Sequence, residues 1–253
     1  MDQIERLLAS LLEKNWLDVG VLIVIGVFFF IGLSSGIVYS TFRLLSMFIA
    51  LLMSLSFYGK LAGFIYGSYV ETVINAFIYD GFLSNPKVSA AQFELNIDNA
   101  LNGIKEMLRL PDGVADAIFT RPANLGEIQR TYIFNDVDIV GHFSAQCSRA
   151  VIALFSVIVV YVLVRAVIAV VKIFLDEIAS IKLFRLFNYI GGPVFGLIEG
   201  ISTAYIALAL LMIVNLVVQL DPIYEIIENA SFSHGLYENN MFLDFVIKRI
   251  NFS

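Results

Sequence analysis

The stretch Asn188-Tyr-Ile-Gly-Gly-Pro-Val-Phe-Gly-Leu-Ile-Glu-Gly200 opens an apolar segment that ends near Leu220. Gly192, Gly196 and Gly200 are spaced four residues apart, so they share one face of a helix. In a membrane, a face of small residues lets the backbone of a second helix approach closely. The stretch therefore predicts a membrane helix with a packed glycine face. A kinked helix that gates a pathway is the alternative interpretation.

This apolar segment also contains an acidic residue, Glu199, and the apolar segment before it contains Arg165. Arg165 precedes the expected membrane exit near Lys172 by about 10 Å, at 1.5 Å per helical residue. Glu199 lies at a comparable distance inside the membrane if its helix starts at Pro193. The two side chains can therefore lie at similar depth, which predicts an intramembrane ion pair. The alternative is that each side chain extends separately to the same interface.

The composition indicates a membrane protein, because 59% of the 253 residues are hydrophobic and only 15% are charged. Soluble domains are about 25% charged. The formal net charge of -6 argues against nucleic-acid binding, which needs a concentrated basic face. A single cysteine, Cys147, excludes an intrachain disulfide, and His142 and His234 are far apart in the sequence. No catalytic-triad, paired-carboxylate, phosphate-loop or metal-ligand pattern occurs, so we predict no enzymatic activity and no cofactor.

Four apolar segments are long enough to cross a bilayer, which takes about 20 residues. We predict transmembrane helices at about residues 18–37, 43–66, 150–171 and 189–218, in two hairpins, 18–66 and 150–220. Gly32 and Gly36 form a GxxxG pair near the end of the first helix, which predicts a second packing face. Small polar residues between Ser34 and Thr41 mark the first turn. The last helix is expected to bend at Gly191-Gly192-Pro193.

Three segments lie outside the hairpins. Residues 1–17 form a predicted amphipathic surface helix, 67–149 a predicted acidic, helical extramembrane region, and 221–253 a predicted amphipathic tail. Within them we expect amphipathic helices at about 89–110, 223–229 and 240–250, the last with an apolar stripe on the bilayer. The predicted fold is an all-α membrane protein with four transmembrane helices, a helical insertion between the second and third, and amphipathic terminal helices.

Several of these features occur together in a recognisable order. The first half has an aspartate at the start of the first helix, a GxxxG pair and then a basic residue: Asp18, Gly32, Gly36 and Arg43. The second half has a basic and a polar residue before the glycine ladder: Arg185, Asn188, Gly192, Gly196 and Gly200. A Ser-x-x-x-x-Leu-Tyr-Glu-Asn-Asn piece follows at residues 231–240. In this order and spacing the chain resembles the CvpA family of colicin V production proteins, over about residues 16–66 and 148–245.

The resemblance implies a multi-pass protein of the bacterial cytoplasmic membrane without catalytic activity. Such a protein would support toxin production or export, or envelope homeostasis. The competing hypothesis is a small transporter or channel that uses Arg165 and Glu199 in a polar pathway. The expected partners are the lipid bilayer and other proteins, or a second copy bound through the glycine-lined faces, but not nucleic acid.

Basic residues near the predicted membrane ends do not decide the orientation. If the two short connections between paired helices lie in the cytoplasm, four basic residues are cytoplasmic: Arg43, Lys172, Lys182 and Arg185. In the reverse orientation four other basic residues are cytoplasmic: Arg6, Lys14, Lys60 and Arg149. The resemblance favours an external amino terminus, with the acidic region and the tail also outside.

Overall fold

The computed structural model describes residues 15–128, 137–176, 185–218 and 221–250. In these ranges the chain forms α-helices and one short 3-10 turn, and no strand. The helices are α1 Trp16–Ile37, α2 Tyr39–Ile65, α3 Tyr69–Ser84, α4 Pro86–Phe93, α5 Ile97–Leu108, α6 Asp112–Ile118, α7 Ile139–Asp176, α8 Arg185–Val218, α9 Asp221–Glu228, α10 Phe232–Glu238 and α11 Met241–Ile247. The predicted all-α fold is confirmed. Residues 1–14 of the predicted amphipathic segment lie outside the described residues.

Four helical segments are long and apolar enough to cross a membrane: α1, α2, Ile139–Val170 of α7 and Gly191–Val218 of α8. Their number agrees with the sequence prediction, but two boundaries differ. The third helix starts at Ile139 rather than at Ala150, and the second starts at Tyr39 rather than at Arg43. The fourth continues through Pro193 as one helix.

The turn between α1 and α2 depends on a single glycine. Gly36 has φ 77° and ψ 176°, and the residues on either side of it are helical. This region of backbone conformation is essentially restricted to glycine, because a Cβ atom would clash with the backbone. The sequence analysis predicted a broader turn between Ser34 and Thr41. In the structure the helical conformation is interrupted only at Gly36, in the last turn of α1.

One compact unit combines the beginning of the chain with the middle of α7 and α8 and part of the tail. Its ranges are Met1–Phe57, Ile158–Ala209 and Asp221–Phe242. Met47 and Ala50 of α2 are buried against Tyr161 of α7, and Ile206 of α8 packs at the edge of this cluster. Apolar packing between sequence-distant helices therefore holds this unit together.

The second compact unit comprises Tyr58–Val157, Leu210–Leu220 and Leu243–Ser253. Phe82 of α3 and Phe143 of α7 are fully buried in it. Gln92 of α4 donates from Nε2 to the carbonyl oxygen of Val137 at 2.9 Å and accepts at Oε1 from the amide of Val140 at 3.0 Å. The helices between α2 and α7 thus share their core with the start of α7.

The amphipathic helix expected at 89–110 is two helices, α4 and α5. Leu95 has a positive φ of 53°, which interrupts the helix, and Asn96 caps the start of α5 by accepting a hydrogen bond at Oδ1 from the amide of Asn99. An asparagine that caps a helix competes with helix continuation at the same position. The single-helix prediction was wrong for this local reason.

The tail contains three helices where the sequence predicted two, because α10 was missed. The stripe expected on the bilayer is also divided. Val246 and Ile250 are buried, with 1% and 8% exposure, whereas Met241 is 71% exposed. The apolar side of α11 therefore packs largely against protein.

We expect the protein to stay in the membrane pellet after extraction with alkaline carbonate, because four of its helices are long and apolar enough to cross the bilayer. Immunoblotting of pellet and supernatant measures this. A peripheral membrane protein is the control, and recovery of the chain in the supernatant would contradict the four spans.

Candidate functional site: a buried carboxylate shared by two arginines

The predicted glycine faces of α1 and α8 contact each other. A Cβ atom built on Gly192 would overlap the carbonyl oxygen of Gly32 and lie 3.0 Å from Cα of Gly36. One built on Gly196 would overlap the carbonyl oxygen of Phe28. Real Cβ atoms do not approach backbone atoms this closely, so these positions admit no side chain.

Gly200 extends the same contact by one helical turn. Its Cβ atom would lie 2.9 Å from Cα of Ile25. All five predicted packing glycines therefore lie where α1 meets α8, so these faces are occupied within one chain. A second copy could bind them only by displacing this contact, which argues against self-association through the glycines.

Glu199 lies next to this contact on α8, directly before Gly200. Its side chain is 1% exposed. Oε1 of Glu199 accepts a hydrogen bond from Nη2 of Arg165 at 3.2 Å. The two residues paired by the sequence analysis are thus within ion-pair distance in the structure.

Arg165 makes two further hydrogen bonds, both to α2. Its Nη1 donates to the carbonyl oxygen of Arg43 at 2.9 Å and to Oγ of Ser46 at 2.5 Å. Ser46 in turn donates from Oγ to the same carbonyl oxygen at 2.7 Å. The carbonyl oxygen of Arg43 thus accepts from both side chains. Arg165 therefore connects α7 to both α2 and α8.

Arg43 is a third member of the site, which the sequence analysis missed. Its Nε lies 3.1 Å from Oε2 of Glu199, although the N–H direction does not meet hydrogen-bond geometry, so this contact is electrostatic. Its Nη2 donates weakly to Oγ of Ser40 at 3.4 Å. The sequence analysis placed Arg43 at the start of the second transmembrane helix. The feature that could have identified Arg43 as a site residue is its position one helical turn inside α2.

Two guanidinium groups around one carboxylate give the cluster a formal charge of +1. The carboxylate is sealed from solvent, whereas the side chains of Arg43 and Arg165 are 18% and 29% exposed. A charge buried in an apolar region is costly unless it is paired, and Glu199 has two partners. The arrangement can fix α2, α7 and α8 against one another. It offers no metal site: among the described residues no three His, Cys, Asp or Glu side chains are grouped to hold an ion.

A second carboxylate ties the start of α1 to the tail. Oδ2 of Asp18 accepts from the amide of Ser231 at 2.9 Å, and Oδ1 accepts from the amides of Phe232 and Ser233 at 3.2 and 2.7 Å. These amides open α10 and would otherwise lack partners. The sequence analysis used Asp18 only as the aspartate at the start of the first helix and did not predict this contact with the tail.

The remaining sequence candidates have structural roles. Cys147 is fully buried, with Sγ 4.0 Å from the carbonyl oxygen of Leu216. Nε2 of His142 lies 3.1 Å from Nε2 of Gln146. Gln146 also exchanges two hydrogen bonds with the backbone of Thr120. These contacts are those of packed helix residues.

Comparison with family models, curated proteins and solved structures finds no match to this chain. The CvpA resemblance therefore stays a prediction that depends on the residues quoted for it.

Replacing Gly32 or Gly196 with alanine should destabilise the protein by about 1–3 kcal/mol, because each new methyl group meets backbone that cannot rotate away. Thermal unfolding in detergent or nanodiscs measures the loss. Gly26→Ala on α1 is the matched control, since nothing lies within 4 Å of its Cβ position. Equal effects at positions 26 and 196 would contradict the close contact.

Glu199→Gln should lower stability by about 3–5 kcal/mol, since it leaves two guanidinium groups without their shared carboxylate. The measured quantities are the unfolding temperature and the amount of protein in the membrane. Glu106→Gln is the control, because Glu106 pairs with Lys87 at an exposed site, where an ion pair contributes about 1 kcal/mol or less. An unchanged Glu199→Gln protein would show that the cluster does not hold the helices.

Proposed function

We propose that this protein is a non-enzymatic, multi-pass scaffold of the CvpA type in the bacterial cytoplasmic membrane. Its role is to support toxin production or export, or envelope homeostasis. The single observation that carries the scaffold assignment is the closure of the charged cluster: Glu199 is 1% exposed and has an arginine on each oxygen. Ion or proton relays need a chain of exchangeable groups. A sealed carboxylate with two fixed partners favours a clamp between helices.

The resemblance supports the cellular role and the topology. Two spans separate the acidic region from the tail, so an even count puts both on the same face of the membrane. We place that face, with the amino terminus, outside the cytoplasm. Partner proteins then bind surfaces other than the glycine contact, since α1 and α8 occupy it with each other.

One observation favours a small transporter or channel as the second candidate. The cluster has one positive charge in excess, and both arginine side chains keep partial exposure. An anion pathway along α2 and α7 would use such an excess charge. The two hypotheses predict different results when all three charges are removed.

The deciding variant replaces Arg43, Arg165 and Glu199 together with leucine. Removing only Arg165 and Glu199 would leave Arg43 unpaired, which is the costly case. Buried ion pairs replaced by apolar residues of similar size often keep or gain stability. A scaffold should therefore remain folded and active in the triple variant, and Glu199→Leu alone should be less stable.

The assay is complementation of a strain that lacks this protein, with toxin secretion, detergent sensitivity and membrane abundance measured in parallel. Lys60→Leu, which removes one exposed charge from α2, is the control for general effects of charge loss. Retained activity of the triple variant supports the scaffold. A triple variant that is abundant in the membrane yet inactive would overturn the scaffold in favour of the transport hypothesis.

A further inference from the structure

Helix α3 begins directly after the second membrane span. The chain turns at Gly67, which has a φ of 73°, and Ser68 caps the new helix by accepting a hydrogen bond at Oγ from the amide of Val70. The amide of Gly67 donates to Oε2 of Glu71 at 2.5 Å. These contacts define the turn, so the start of α3 is held next to the end of α2.

Helix α3 is apolar on two opposite sides. Ile78 and Phe82 are fully buried on one side. The other side exposes four large side chains: Tyr69 82%, Val70 52%, Val73 37% and Phe77 66%. At about 100° per residue these four positions fall within an arc of about 100°, so they form one continuous stripe. We call it the outer stripe of α3.

A continuous exposed apolar stripe of this kind is typical of a surface that contacts protein or membrane. The neighbouring surface indicates what covers it. Phe64, in the last turn of the membrane-spanning α2, is 84% exposed, and Tyr66 follows with 37%. The lipid-facing surface of α2 therefore continues through Tyr66 into Tyr69 and the rest of the stripe. With 16 residues, α3 is shorter than the roughly 20 needed to span a bilayer.

The polarity changes along the helix. Asp80 and Ser84 lie on the same face as the stripe and are also exposed. A carboxylate is stable in water and not among acyl chains, whereas a tyrosine is favourable at the headgroup boundary. On this face, the part of α3 from Tyr69 to Phe77 suits the bilayer and the part from Asp80 onward suits water, which describes a helix inclined out of the membrane.

We propose that α3 is an interfacial membrane helix whose outer stripe lies at the boundary of headgroups and acyl chains. This places α3 at the membrane surface, within the region 67–149 that the sequence analysis predicted to be extramembrane. The occupant of the stripe is lipid, and not a second copy of the chain or another protein. The inference depends on the four spans and not on the scaffold function.

Tryptophan fluorescence of the full-length protein in liposomes tests this placement. Trp16, the single tryptophan, is replaced by phenylalanine, and Phe77→Trp is introduced on the stripe. Phe64→Trp reports on lipid contact in α2, and Asn99→Trp reports on an exposed position of α5. The liposomes contain phosphatidylcholine and phosphatidylglycerol, with or without bromine on the acyl chains, which quenches nearby tryptophan.

The expected result is that F77W emits at shorter wavelength than N99W and loses most of its emission with brominated lipid, as F64W does. N99W should keep nearly all of its emission, and D80W should be quenched less than F77W. Long-wavelength, unquenched emission of F77W would put the stripe in water and overturn the proposal. Short-wavelength emission without quenching would overturn it too, because protein and not lipid would then cover the stripe.

Discussion

A carboxylate inside an apolar helix bundle is stable only if its charge is matched, and this constraint determines how α2, α7 and α8 meet. Glu199 is sealed from solvent, and each of its oxygens has an arginine partner from a different helix. Arg165 also binds backbone and hydroxyl oxygens of α2, which fixes its height along that helix. These ion pairs and hydrogen bonds therefore fix the positions of the three helices along their axes, because sliding one helix past another would break them.

Helix α1 has no part in this cluster, and different contacts hold each of its ends. Lipid is as apolar as leucine, so helices in a membrane associate through close packing and polar contacts. Toward its end, α1 meets α8 backbone to backbone at the glycines. At its start, Asp18 accepts three amide hydrogen bonds from the tail. The tail thus helps to position the first span.

The sequence predicts the long apolar spans and their small-residue faces, although a local cap at Asn96 was missed. The spans follow from long apolar runs, and the glycine face and the depth match of Arg165 with Glu199 follow from helical spacing. Contacts between segments that are distant in the sequence produce no local sequence pattern, so the roles of Arg43 and of Asp18 were missed. The early start of α7 was missed for a related reason. Its first turns carry polar residues such as His142 and Gln146, but Phe143 and Cys147, which directly follow them, are fully buried in protein.

Several of the described residues that carry the CvpA resemblance are contact residues in this structure. Asp18 binds the amide of Ser231, the glycines of α1 meet those of α8, and Arg43 meets Glu199. A pattern made of such contacts encodes how helices pack, and packing is compatible with many activities. What distinguishes one such protein from another must then lie on surfaces outside these contacts. In this chain the helices between α2 and α7 are the largest addition to the four candidate spans, so the surfaces of α4 to α6 are the first place to look for what the protein does.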